Sequence, residues 1–390
     1  MNTTARCATL LILALASLPA WSLNQQFLDP VVPISPELKG MGGVSTANAE
    51  GWQALFVNPA AFATPTPSVT FGSLGVSGFL PLTAINQALA IHDSWGVPDY
   101  TNPSDPMTNL INSFLTNYGV GGEATLGGGW VGKNFGVGLL FDVRSFAKGT
   151  TLLGTQDTLE QSAEAVIGGA IPFDVGLGTL KVGASVRPQQ KGYSVVAATD
   201  IIDSLKGSSS SLMNSTINAG YGLGWDIGAR WDYAGFKTGL AIRDLGSTLY
   251  NFQQYTISDW LGSFGLAQGS NTSTTNYRVP TTIAVGGAWS PDLGALLAVI
   301  EPTVGLDFQI PLKDQYTQSS FWTWTHVGGE VKFLKFLSVR TGINEGYFTF
   351  GMGVSVPYFD YNFAIYTDEL GRYAGLTPRS AVSMDWTFHL

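Results

Sequence analysis

The sequence predicts an all-β protein, a transmembrane antiparallel β-barrel of 14 strands with an N-terminal plug and short helices in its outer loops. Only 12% of the 390 residues are charged, against about 25% in a soluble chain, so much of the surface meets something other than water. Hydrophobic residues reach 45%, yet after Ser22 no run of about 18 apolar residues exists to make a transmembrane helix. The chain instead alternates with period 2, one parity apolar and the other small or polar. A closed sheet is how such a chain crosses hydrocarbon, because every backbone N–H and C=O is then paired between strands. The 48 glycines lack a Gly-x-y period, and with this apolar content collagen and disorder are excluded. A net charge of −9 with no basic block removes the footprint that phosphate-backbone binding needs, so no nucleic-acid partner is expected.

In chain order, residues 1–22 come first. Arg6, the apolar run Ala8 to Leu18, and small residues at Ala20 and Ser22 read as a secretory signal peptide. The single cysteine, Cys7, precedes the apolar run, which is the wrong place for a lipid anchor, and leaves the mature chain without a disulfide.

Residues 23–66 are apolar and glycine-rich without strand alternation: Gly40-Met41-Gly42-Gly43, then Trp52 to Phe62. A segment this apolar is a poor unfolded arm. Burial inside the barrel as a plug shields it, and a periplasmic cap is the alternative.

The barrel occupies 67–390. Strands are expected near 67–80, 121–132, 134–147, 159–172, 177–191, 216–233, 235–246, 278–289, 298–310, 321–334, 335–344, 346–356, 358–368 and 379–390. The clearest alternation sets Phe348, Phe350, Met352, Val354 and Val356 against Thr349, Gly351, Gly353 and Ser355; Val382, Met384, Trp386 and Phe388 likewise oppose Ala381, Ser383, Asp385 and Thr387. A soluble sandwich also alternates, but its polar parity would be rich in Lys, Glu, Thr and Ser. Here that parity is glycine-rich with sparse charges of both signs, which suggests a barrel filled by its own chain. Long and short connections take turns, as in bacterial outer-membrane barrels; only the turn at Glu345 is shorter than an outer loop should be. Lumen-facing candidates such as Glu123, Arg144, Glu164, Arg187, Asp226, Asp307 and Arg340 are of mixed sign, so pairing is expected over a single-sign selectivity ring.

Among the outer loops, Ser104-Asp105-Pro106 ahead of Leu110, Ile111, Phe114 and Leu115 has helical spacing with a cap and a proline at its start. A second short helix is expected from Ser258, presenting Trp260, Leu261 and Phe264, and a third over Asp200 to Leu205. Apolar faces on such helices need a partner, which is the rim, one another, or an acyl chain.

Asn58-Pro59-Ala60, placed before the first strand and after the Gly40–Gly43 run, resembles the Asn-Pro-Ala hatch motif of FadL-type long-chain fatty-acid transporters of the outer membrane. The tail, Gly342 to Tyr347 and Tyr366 to Gly371, looks more like a divergent branch related to PorV/PorQ-type barrels. The resemblance implies outer-membrane uptake of long-chain fatty acids or other hydrophobic small molecules by passive diffusion, gated by the hatch. It also implies apolar capture at the loop residues above and a site beside the hatch around Trp52, Phe56 and Phe62. The PorV/PorQ side implies a scaffold for protein secretion or surface attachment, with a protein partner, and a general diffusion porin is a third reading. No cofactor, metal site or catalytic centre is expected: His92, His326 and His389 are far apart, no His/Cys metal spacing occurs, and no Gly-x-Ser-x-Gly elbow is present. His326 with Glu330 on one strand parity is better read as a hydrogen-bonded lumenal histidine than as a hydrolytic pair.

Overall fold

The computed structural model describes residues 25–80, 102, 105, 108, 109, 113, 116–149, 156–197, 213–263, 269, 270, 276–312, 320–371 and 373–390. Among them fourteen strands form one closed antiparallel barrel: β1 Ser68–Phe79, β2 Val120–Gly132, β3 Phe135–Lys148, β4 Gln156–Asp174, β5 Thr179–Ala197, β6 Thr216–Tyr233, β7 Phe236–Arg243, β8 Thr282–Trp289, β9 Ile300–Pro311, β10 Thr325–Phe333, β11 Leu337–Asn344, β12 Tyr347–Val356, β13 Phe359–Glu369 and β14 Pro378–His389. Each strand pairs with its neighbours in sequence, and β14 closes the ring on β1 with Met384 opposite Val76. No helix among the described residues is long and apolar enough to cross a membrane.

The two parities separate as the sequence requires. On β12 Phe348, Met352 and Val354 are exposed while Thr349, Gly351 and Gly353 are buried. On β6 Tyr221, Leu223 and Trp225 point out and Asp226 and Arg230 point in. An exposed band of Leu, Val, Phe and Trp around a closed ladder is the surface that hydrocarbon solvates and water does not. Aromatic rings gather at the short turns. Trp231 stacks on Tyr233 and Phe236 on Trp289, with centroids 5.6 Å apart in both pairs.

Several boundaries differ from those the alternation predicts, each for a local reason. β7 stops at Arg243 because Asp244 and Ser247 adopt positive φ and turn the chain inward. The strand expected from 278 divides at Pro280, which has no N–H to give the ladder; Asn276–Val279 joins a separate small sheet and β8 starts at Thr282. The strand expected from 321 opens as a 3-10 turn, Phe321–Trp324, capped by the Ser320 hydroxyl. β4 and β5 run to 19 residues each, longer than expected.

Two ladder irregularities have no clear mark in the alternation. Phe71 is an extra residue in β1, out of register with both β14 and β2, and the bulge lies opposite Gly128. That is within the glycine run Gly127–Gly129, where a strand tolerates irregularity. The β4–β5 ladder also leaves out Ala165 and Val166 on β4 and Arg187 and Pro188 on β5.

A cation on the outward face at mid-strand is expected to be costly and one at the rim cheap. Met352→Arg should lower folding stability in vesicles by about 2–4 kcal/mol and Tyr233→Arg by about 0–1 kcal/mol, measured by urea titration; equal costs would contradict the assigned faces.

Candidate functional site

The segment before β1 lies against the inward face of the wall and follows it around. It opens with Leu28, buried among Tyr250, Phe252, Tyr277 and Val279. Asp29 then pairs with Arg144 on β3 at 2.9 Å. Ile34 sits over Gly75 of β1. The helix Pro36–Gly40, capped by the Ser35 hydroxyl, continues past β14 onto β13, β12 and β11. There Glu37 faces Arg340 of β11 at 3.6 Å and Lys39 pairs with Asp368 of β13 at 2.6 Å.

From that point the chain steps strand by strand. The Gly40 carbonyl accepts from Thr349 of β12, and the Gly43 carbonyl accepts from Gln309 of β9. The Ser45 and Thr46 amides both donate to Asp307 of β9 at 2.7 Å. Gly42 and Gly43 have φ of 72° and 84°, a left-handed turn after the helix that glycine adopts without Cβ strain. Beside it His326 Nδ1 lies 3.1 Å from the Gly42 carbonyl and 2.9 Å from Asn344 Oδ1, two acceptors that call for a proton on Nδ1. Glu330 is engaged elsewhere, with Arg340 at 2.6 Å.

Asn58, Pro59 and Ala60 come next, and their arrangement accounts for each residue type. Asn58 Oδ1 accepts from the Ala60 amide as an N-cap, while Nδ2 donates to the Thr46 carbonyl at 2.9 Å. The same Nδ2 reaches the carbonyls of Ala229 and Leu240, a cross-strand pair of β6 and β7, at 3.4 and 3.5 Å. Pro59 starts the 3-10 helix Pro59–Phe62, where a missing N–H costs nothing. Ala60 is fully buried.

The glycines of the inward parity now have an explanation. A Cβ added at Gly351, Gly328, Gly305, Gly239, Gly228 or Gly183 would come within 3 Å of Gly40, Met41, Val44, Thr46, Asn58 or Pro59 respectively. At these six positions from β12 to β5 the wall leaves room for the segment by lacking a side chain.

Between Ala49 and Val57 the chain departs from this track and meets the opposite wall. Trp52, Leu55 and Phe56, with Phe62, pack with Leu140, Val131, Val166 and Ala170. Trp52 lies against Gly127 and Leu55 against Gly129 and Gly138. Each of these large side chains contributes roughly 1.5–3 kcal/mol relative to exposure. Trp52, Phe56 and Phe62, expected from the sequence beside a ligand site, are therefore together and closed off, at most 5% exposed.

A second cluster sits above. Arg187 is fully buried among Glu164, Asp226 and Asp244, at 3.0, 2.7 and 2.9 Å. Gln189, two residues along β5, accepts from the Tyr250 hydroxyl. Tyr250 and the rings around Leu28 belong to the β7–β8 connection, whose strand Asn276–Val279 pairs in parallel with Gln25–Phe27 and antiparallel with Thr248–Tyr250. Nothing in the sequence periodicity marks this inward fold, since its partners are the N-terminus and β6.

The loop candidates fare differently. Asp105 caps a helical turn through the Thr108 amide at 2.7 Å, but Leu110, Ile111, Phe114 and Leu115 lie outside the described residues, as do Phe264, the stretch Asp200 to Leu205 and the segment 1–22. The helix expected from Ser258 is present as Ile257–Ser263. Its Trp260 is buried against Ile217 and Ala219 of β6 and donates to Gln161, so the partner of that apolar face is the barrel rim.

No family model matches the chain, and no curated protein matches it. Among solved structures, the CymD monoaromatic hydrocarbon channel aligns over 93% of this chain and 98% of its own, with TM-score 0.51 and 12% identity. The likeness is one of fold. The toluene transporter TodX of Pseudomonas putida aligns over 93% and 99% with TM-score 0.46 and 12% identity. The translocator domain of the autotransporter NalP from Neisseria meningitidis aligns over 84% and 88% with TM-score 0.37 and 9% identity.

Two outcomes follow for these clusters. Arg187→Ala removes the cation bonded to three buried carboxylates, with Arg243 still facing them, and should cost about 3–5 kcal/mol in urea-induced unfolding; a loss under 1 kcal/mol would contradict the network. Gly228→Val places a side chain where Asn58 stands, so trypsin should cut at Lys39 in the variant and not in the parent, with the barrel resistant in both.

Proposed function

We propose that the chain is a bacterial outer-membrane channel that takes up hydrophobic small molecules, long-chain fatty acids among them, by passive diffusion. In this reading 1–22 is an export signal, 23–66 a plug carrying the hatch motif Asn58-Pro59-Ala60, and 67–390 the barrel. The observation that carries it is the N-terminal segment itself, which follows the inward face of the wall and is attached at discrete points without joining the ladder. A passage blocked by a separable segment conducts when that segment moves, whereas a general diffusion porin needs an open lumen. The fold shared with a hydrocarbon channel supports a hydrophobic cargo.

The attachments suggest how movement occurs. On the β9–β13 side they are polar: Lys39 to Asp368, Glu37 to Arg340, and two amides to Asp307. On the β2–β4 side an apolar set, Trp52, Leu55, Phe56 and Phe62, stands beside the polar Asp29–Arg144 pair. An apolar ligand competes for the second set, because its own carbon covers the wall that the rings and methyl groups uncover as the segment lifts. Captured at the loop residues Leu110, Ile111, Phe114, Leu115 and Phe264, a ligand would pass to this cluster. It would leave beside the β1 bulge at Phe71, which adjoins the wall that Trp52 covers.

The test is uptake of labelled oleate and of toluene by cells producing the chain, with Asn58→Ala and Pro59→Ala compared. Both variants should lose uptake severalfold while keeping the heat-modifiable gel mobility of a folded barrel. Normal uptake by folded variants would remove the hatch role, and steady ion conductance by the parent would favour a porin.

A further inference from the structure

We infer that the hydrocarbon-facing side of β7–β11 is a binding groove for an acyl chain of a phospholipid from the leaflet at the short-turn end. Elsewhere bulk lines the outward parity, as at Leu126, Phe141, Ile167 and Trp225, with isolated gaps such as Gly78. On β7–β11 small residues lie side by side across strands. Thr238 lies opposite Gly287, and Gly329 lies opposite Thr341. A Cβ added at Gly287 would have no neighbour closer than 3.8 Å, so the glycine serves no close approach of protein to protein. These small residues floor two adjoining depressions of about 460 Å³ and about 700 Å³, walled by Leu240, Val285, Leu306, Val327 and Ile343.

The occupant follows from the setting. The groove is continuous with the band of exposed apolar side chains, so it opens on hydrocarbon. An empty groove there forfeits dispersion contacts on every wall atom, and the lining presents nothing a polar ligand would select. Its size is in the range of a small-molecule site, roughly 300–1,000 Å³. The Phe236–Trp289 stack marks the end of the groove at the interface.

Beyond that stack the β8–β9 turn, Ser290 to Val299, is longer than the β2–β3, β4–β5, β6–β7, β10–β11 and β12–β13 turns, and it is apolar. It carries the 3-10 helix Gly294–Ala298, with Leu296 and Val299 exposed. The Leu334 amide donates to the Val299 carbonyl, which brings the exposed Lys335 ammonium beside this shelf, 3.8 Å from Glu301. An apolar shelf with a cation at headgroup level fits a phospholipid, whose tail fills the groove and whose phosphate meets Lys335.

The inference needs only the membrane assignment and stands apart from transport. It is tested by native mass spectrometry of the full chain released from phosphatidylethanolamine and phosphatidylglycerol nanodiscs. The parent should retain one phospholipid, and Gly287→Leu with Gly329→Leu should lose it. Gly78→Leu, on an outward position of β1 with open space around it, should keep it, and gel mobility verifies folding of all three. Absence of retained lipid in the parent, or equal retention in the filled variant, overturns the site. A dimer lost on filling also overturns it, by assigning the groove to a second copy.

Discussion

Hydrocarbon offers no partner to a backbone N–H or C=O, and the rest of this structure is arranged around that constraint. A chain without a long apolar helix meets it by closing a sheet on itself. Closure then fixes the side chains, because successive residues on every strand must face lipid and interior in turn. The pairing of β14 with β1 therefore does more than join two strands. It gives Phe348 and Thr349, or Trp386 and Asp385, their opposite solvents.

Closure creates a second problem, an interior that must be filled. Residues 28–62 pack against the inward face of the wall, which makes room for them by omission. Gly351, Gly328, Gly305, Gly239, Gly228 and Gly183 form a track of small positions along which residues 40–46 and then Asn58 and Pro59 lie. Charged groups of the interior are matched locally. Arg144 joins Glu123 and Asp29, Arg340 joins Glu330 and Glu37, and Arg187 joins three carboxylates. A buried pair of this kind adds little net stability but makes the loss of either partner expensive, which holds the segment in one register without covalent links.

The parity, the strand count and the pairing of mixed charges were legible in the sequence because each is a local or period-2 property. Asn58-Pro59-Ala60 stood out only by resemblance, and the capping by Asn58 ahead of the helix-starting Pro59 emerged with the structure. What Asn58 holds was not legible: Leu240 lies 182 residues away, and the alternation of β6 and β7 carries no sign of it. The glycine-rich parity did signal an occupant, since a side-chain-free face suits close approach of backbone, but it could not say which stretch lay on it. Strand ends failed where turn chemistry overrode alternation, at Asp244 and at Pro280. The inward fold of the β7–β8 connection depends on contacts with Gln25–Phe27 and with Gly222 and Gly224, again distant in sequence. Periodicity reads solvent, and these contacts are between protein and protein.

The most direct measurement is the behaviour of the purified chain when surfactant is withdrawn, followed by light scattering and circular dichroism. The account predicts β-rich, dispersed particles in detergent or nanodiscs and aggregation in plain buffer. A monodisperse β-rich monomer in buffer alone would contradict the assignment of the outward parity to hydrocarbon, and with it the reasoning from closure to the filled interior.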